Sequence, residues 1–418
     1  MRQRLCWLQC GIVLDWGLGS PQNPQAGKPA LRSADILVRG FGRLSSRPFL
    51  QTRVCLIKNR PLSRNTRLCW WLLPVLLVLS TAGCGTFMAH RMAQAPNTYP
   101  EWFAPKAPVA VAFSPKFLTN FPKQFVDVGP PPARLCYRVV EPADYHLKIS
   151  PTNWLEHGQK QFEFDFHADL PGGSNVWTSA PRGTVVLLHG YGLAQFSMAP
   201  WALRLAQEGW RCVLVDLRGH GKSTGKRIYF GVREAHDLSQ LLDELARDDR
   251  LVEPVAAFGE SYGASLALRW KTVEPRVRTV MAITPYAGLS NAVLNLCHEY
   301  AGWMPRIWLK AGLKKLPSVL EVPAGELDTT TELARRPVTA LFVAGAEDKI
   351  TPVTDVEQLR ALAAPGSELI VVPDATHEAV TYFFAELVPP VLTWLSGAGG
   401  QGNSIDSHAS ADMPISSQ

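Results

Sequence analysis

From residue 184 onward, short uninterrupted apolar runs alternate with helical stretches, and this alternation restricts the chain more than anything else in it. The runs are Thr184–Leu188, Cys212–Leu217, Val255–Phe258, Val280–Thr284, Thr339–Val343 and Leu369–Val372. The intervening segments 196–208, 233–247, 262–272, 354–363 and 378–395 read as helices, and a longer insertion, 287–335, fills the fourth interval. Strands that are apolar on both faces must be covered on both faces, and strands joined through helices run parallel. The expected fold class is therefore α/β, a doubly wound and mostly parallel sheet. Leu135–Val140 and Phe162–Phe166 read as further strands ahead of it.

With 46% hydrophobic and 19% charged residues, the chain cannot be disordered throughout. Its net charge of +6 is carried by one end: residues 1–68 hold twelve Lys/Arg against Asp15 and Asp35, a local +10 that leaves −4 for the rest. A mildly acidic body excludes a nucleic-acid partner. Arg53, Lys58, Arg60, Arg64 and Arg67 precede the apolar run Leu68–Leu79 and then Ser80-Thr81-Ala82-Gly83-Cys84, the order of a signal peptide. The end of that run resembles the lipobox of bacterial lipoproteins, although Thr81 stands where the pattern favours Leu. The resemblance implies that Cys84 is acylated and becomes the first mature residue. Gly85, rather than Asp, then implies an outer-membrane lipoprotein of the bacterial cell envelope, facing the periplasm. The residues alone leave a transmembrane signal anchor open, since no charge appears from Leu68 until Arg91. Both readings tether the chain to a membrane. Residues 1–53 exceed any n-region, so an over-extended start is expected there.

Nine prolines between residues 90 and 133 predict that 84–133 is an extended spacer. The Gly/Ser-rich end, 397–418, is expected to be a disordered tail, so that 134–396 forms the folded domain. Beyond Cys84, only Cys136, Cys212 and Cys297 remain after the proposed cleavage point, with no CxxC and no metal-ligand spacing. No metal or cofactor is implied. A Cys136–Cys297 disulfide is permitted by export but not indicated.

The run Val255–Phe258 leads into Gly259-Glu260-Ser261-Tyr262-Gly263 and then into a helical pattern. G-x-S-x-G between a strand and a helix forces a turn too tight for a Cβ at either glycine and presents the serine hydroxyl at the sheet's C-terminal edge. With His189-Gly190-Tyr191-Gly192, Asp216-Leu217-Arg218-Gly219-His220-Gly221-Lys222-Ser223, Gly345-Ala346-Glu347-Asp348-Lys349-Ile350-Thr351-Pro352 and Asp374-Ala375-Thr376-His377, it resembles the α/β-hydrolase family over residues 134–396. The nearest branch is that of serine aminopeptidases and monoacylglycerol lipases; Thr376 stands where a Gly often precedes the histidine. The chain order Ser261, Asp348, His377 suits a nucleophile, an orienting acid and a general base. Backbone N–H groups of Tyr191 and Tyr262 are the expected oxyanion donors. Asp216 also ends a strand and is the rival acid, although Arg218 beside it suggests a structural role. Glu347 is expected in solvent, His189 and His220 are expected to be structural, and neither Cys212 nor Cys297 has the surroundings of a nucleophile.

The insertion 287–335 is expected to form a helical cap. Leu309, Leu313 and Leu316 fall on one helical face, while Arg306, Lys310, Lys314 and Lys315 mostly take others. If Trp303, Trp308 and this leucine face roof the site, the pocket is apolar and favours esters over polar peptides. The alternative is a helix packed on the sheet without substrate contact. The functional expectation is a membrane-tethered serine hydrolase cleaving carboxylic esters, a carboxylesterase or monoacylglycerol-lipase-like enzyme working through an acyl-enzyme. Its partner would be a small ester or acylglycerol. An aminopeptidase of the same fold and a non-catalytic anchored binding module remain as alternatives.

Overall fold

The computed structural model describes residues 4–6, 85–99, 106–171 and 180–397; the apolar run 68–79, Cys84 and everything after 397 lie outside the described residues. In chain order the strands are β1 (Arg4–Cys6), β2 (Lys106–Ala112), β3 (Gln124–Val128), β4 (Ala133–Val140), β5 (Lys148–Glu156), β6 (Gln159–His167), β7 (Thr184–Leu188), β8 (Arg211–Asp216), β9 (Val255–Glu260), β10 (Val277–Ile283), β11 (Leu341–Gly345) and β12 (Glu368–Val372). The helices are α1 (residues 85–93), α2 (Ala199–Gln207), α3 (Glu234–Arg247), α4 (Tyr262–Val273), α5 (Leu289–Tyr300), α6 (Arg306–Leu320), α7 (Thr329–Arg335), α8 (Val353–Leu362) and α9 (Phe384–Gly397).

Eight strands form one sheet in the order β12-β11-β10-β9-β7-β8-β4-β3. The six strands from β12 to β8 are parallel, and β4 and β3 complete the sheet antiparallel. Successive side chains of β7 serve opposite faces. Val186 and Leu188 join one buried cluster with Leu238, Leu241, Leu242 and Leu245 of α3, while Val185 and Leu187 join another with Trp201 of α2 and Leu387, Val391 and Trp394 of α9. Continuous apolar strands are the sequence signature of a sheet covered on both faces in this way. Because β7 lies between β8 and β9, the strand order reverses there, and the crevice beyond the strands' C-terminal ends is where such sheets bind ligands.

A second, four-stranded sheet has the order β1-β2-β6-β5. Phe162, Phe164 and Phe166 of β6 are buried, and the rings of Phe164 and Phe166 lie 5.5 Å from those of Tyr382 and Phe384 respectively. The expected spacer 84–133 is therefore corrected, and the fold begins well before residue 134. Helix α1 and strands β2 and β3 occupy this stretch, because Pro96, Pro108 and Pro115 fall where no backbone donor is needed. Pro96 and Pro115 open short 3-10 segments, and the β2–β6 register starts at Val109, just after Pro108. Residues 129–132 form the turn between β3 and β4. The insertion 287–335 is helical and contains α5, α6 and α7. Among the described residues no helix is long and apolar enough to cross a membrane.

Candidate active site

Steric crowding builds the turn after β9. A Cβ at Gly259 would lie 2.1 Å from the carbonyl oxygen of Gly263, and one at Gly263 would lie 2.2 Å from that of Leu188. The chain passes this bend with Ser261 at φ 52°, ψ −111°, a conformation that costs a non-glycine residue about 1–3 kcal/mol and persists only where the surroundings impose it. They do so here, for the Ser261 N–H donates to Ile283 O at 2.8 Å and Ser261 O accepts from the Ala264 N–H at 3.0 Å.

Two further loops meet this serine. Asp348 lies in the turn after β11 and His377 in the loop after β12, and the loops touch so closely that a Cβ at Gly345 would sit 2.4 Å from Ala375 O. His377 Nε2 is 3.0 Å from Ser261 Oγ, and His377 Nδ1 is 2.7 Å from Asp348 Oδ2. Asp348 is itself fixed: Oδ1 accepts the backbone N–H groups of Ile350 and Thr351, each at 2.8 Å, and Oδ2 also accepts the Thr351 hydroxyl at 2.8 Å. With a proton on Nδ1 shared with Asp348, Nε2 is left to accept the serine proton. Burial works to lower the imidazole pKa of His377. The charge and hydrogen bond of Asp348, with Glu378 and Glu260 nearby, outweigh it and hold the pKa above its usual value.

The rival residues have other employment. Asp216 Oδ1 accepts the Gln195 N–H and Oδ2 the Lys222 N–H, both at 2.8 Å, so this buried carboxylate ties two loops together. His189 donates from Nδ1 to Gly190 O at 2.8 Å and accepts the Leu217 N–H on Nε2 at 3.0 Å. Burial pushes its pKa down to about 4, and that of His220 to about 3, so both rings are neutral struts. Arg218 forks onto Asp237 through two bonds of 2.7 Å, and Glu347 lies at the surface, 2.7 Å from Lys160 Nζ. Cys136, Cys212 and Cys297 are free thiols, each with its pKa raised by burial, so the permitted Cys136–Cys297 disulfide does not form. Among the described residues no His, Cys, Asp or Glu cluster could hold a metal.

Both expected oxyanion donors flank Ser261. Tyr262 opens α4, where first-turn N–H groups have no intrahelical acceptor, and Tyr191 follows Gly190, whose Cβ position would be 3.7 Å from that of Ser261. Ser261 and His377 border a cavity of about 310 Å³. Leu289, Val293, Leu296 and Tyr300 of α5, Trp303 of the loop that follows and Leu309 of α6 line it together with residues of α1. The cap thus faces the site mainly through α5; Trp303 borders the cavity although it is largely exposed, and Trp308, also exposed, does not line it.

Residues 179–331 match the model of a family described as serine aminopeptidase, S33. Over these residues the chain is similar to the α/β hydrolases of that family. The matched stretch contains Ser261 and most of the cap but neither Asp348 nor His377, which only the fold brings to the serine. A monoacylglycerol lipase of Mycolicibacterium smegmatis is 30% identical over 118 residues, which are 26% of this chain. The match spans 40% of that lipase's length. Among solved structures, an esterase of Pyrococcus furiosus is similar with a TM-score of 0.49 at 20% identity, covering 69% of this chain and 95% of its own. An esterase of Thermogutta terrifontis has a TM-score of 0.43 at 16% identity, covering 66% of this chain and 99% of its own.

Sequence reasoning missed several residues around the site. Glu260 and Glu378, the immediate neighbours of Ser261 and His377, are both buried; burial pushes the Glu260 carboxyl up to about 7, with the nearby His377 opposing it. Tyr300 of the cap donates its hydroxyl to Glu378. Glu260 stood in a variable position of the motif, and its burial follows from its being the last residue of a central strand. Nothing local marks Thr351 as the residue whose hydroxyl bonds Asp348.

Proposed function

We propose that this α/β hydrolase cleaves carboxylic esters, with Ser261 as nucleophile. One observation carries the reading: at the border of an apolar cavity, a serine in a strained turn lies 3.0 Å from a histidine whose other nitrogen lies 2.7 Å from a buried, fully bonded aspartate. Ser261 Oγ attacks the ester carbonyl while His377 Nε2 takes its proton, and Asp348 steadies the resulting imidazolium. The oxyanion is met by the Tyr191 and Tyr262 N–H groups, an effect worth about 3–4 kcal/mol per donor in a known serine hydrolase. The intermediate collapses with cleavage of the bond to the alcohol oxygen, which leaves carrying the proton from His377. Water, deprotonated by the same imidazole, then hydrolyses the acyl-serine and restores the free enzyme.

Esters rather than aminoacyl amides are supported by the cavity lining, which among the described residues includes no Asp or Glu to hold a substrate ammonium. The similar monoacylglycerol lipase makes an acylglycerol a natural candidate. For location, the signal-like run 68–84 supports tethering through Cys84 to a bacterial envelope membrane, with the outer membrane facing the periplasm as the preferred site. The test uses p-nitrophenyl esters and aminoacyl amides with the wild type and Ser261→Ala. Ester turnover should fall by about 10⁴-fold or more in the variant while its melting temperature is kept. Ester turnover that survives the substitution defeats the reading, and turnover of amides alone moves the enzyme to the peptidases.

A further inference from the structure

The cavity over Ser261 is not walled by the cap alone. Phe87, Met88, Arg91, Met92 and Tyr99 line it as well, all from the stretch 85–99 that precedes β2. This stretch is seated on three parts of the molecule. Helix α1 lies against α6 at a contact made of small residues: a Cβ at Gly85 would be 3.2 Å from Ala311 Cβ, and one at Gly312 would be 2.7 Å from Met88 Cγ. Beyond α1 the chain is bonded to the loop after β8. The Ile228 N–H donates to Ala93 O at 2.9 Å, the Ala95 N–H to Lys226 O at 3.2 Å, and the Asn97 N–H to Gly219 O at 3.1 Å. Tyr99, hydrogen-bonded to Tyr191, reaches the loop that carries an oxyanion donor. A segment so placed spans from the cap to the oxyanion loop and closes one side of the substrate space.

We infer that residues 85–99 are a substrate-binding element, and that Met88 and Met92 set the length of acyl chain the cavity accepts. This rests on the reading of Ser261 as an ester-cleaving nucleophile. Both methionines are half-buried, and their unbranched thioethers can adapt to a flexible chain while keeping the wall apolar. The guanidinium of Arg91 is engaged by the Tyr99 ring, 4.9 Å from its centroid, and by the Gln94 amide. At about 310 Å³ the cavity is at the small end of ligand pockets, which suits esters with one unbranched chain and not multiply acylated or polycyclic ones.

The experiment measures kcat/KM for p-nitrophenyl acetate, butyrate, octanoate and laurate with the full-length wild type, Met92→Trp and Met88→Ala. Each variant's octanoate-to-acetate ratio is internal to it and so independent of the amount folded. Met92→Trp fills the cavity and should lower that ratio by about tenfold or more, while Met88→Ala opens it and should raise the laurate-to-octanoate ratio severalfold. If the tryptophan variant does not fold, Met88→Ala decides alone. Unchanged ratios in the folded variants overturn the inference. That failure is distinct from failure of the ester reading, which would show as absent ester turnover in the wild type or turnover retained by Ser261→Ala.

Discussion

At Ser261 the polypeptide has almost no freedom: the atoms crowding Gly259 and Gly263 are carbonyl oxygens of the turn and of β7, and the serine is held at a positive φ by two backbone hydrogen bonds. Across the cavity the closest approach, between α1 and α6, is to the side chain of Met88, which has three rotatable bonds. One wall is fixed by main chain and the other by adaptable side chains. The chemistry therefore has a single geometry, whereas the pocket that selects the substrate can be retuned without disturbing it.

The largest test of the rigid side is Asp348→Asn. The amide cannot hold the His377 tautomer that leaves Nε2 free to accept, and kcat should fall by about 10⁴-fold with little change in KM. Steady-state kinetics on the purified variant measures it, and a loss below about tenfold would mean that the backbone and Thr351 alone orient the imidazole. A matched pair of glycines compares the two walls directly. In Gly263→Ala the new methyl meets main chain at 2.2 Å, so stability should drop by on the order of 3 kcal/mol. In Gly312→Ala it meets Met88 Cγ at 2.7 Å and Met88 Cβ at 2.8 Å; a rotamer change relieves the first and a small shift of α1 the second, so the cost should stay near about 1–2 kcal/mol. Urea melts of both variants give the difference, and equal losses would erase the contrast.

The smallest expected effect concerns pH. His377 must be neutral to take the serine proton, so kcat/KM rises with pH through its pKa. The carboxylates around it outweigh burial and hold that pKa above the usual value, so removing one lowers it. Glu378→Gln should therefore move the acid limb of the kcat/KM profile to lower pH by a fraction of a unit. A limb that stays in place would show that Glu378 acts only as the anchor for Tyr300.

The same contrast explains what could be read from the sequence. The eight strands expected from 135–140 through 369–372 all appear, and Ser261, Asp348 and His377 come together, because each loop is governed by rules local to a strand end: glycine where a Cβ would collide, a short polar residue after an apolar run. The stretch 84–133 was illegible for the opposite reason. Counting prolines measures how many donors are lost, whereas strand and helix formation depends on which donors are needed, and Pro96, Pro108 and Pro115 fall where none is. The buried carboxylates Glu260 and Glu378, and the contribution of α1 to the cavity, depend on segments that meet only in the folded molecule.

Activation of Ser261 by His377 is the step on which everything else depends, and fluorophosphonate labelling of the full-length protein followed by peptide mass mapping reports it most directly. The expected result is one adduct, on the peptide containing Ser261, that disappears in His377→Ala. An adduct on a different serine, or labelling of Ser261 that persists undiminished without the imidazole, would contradict it.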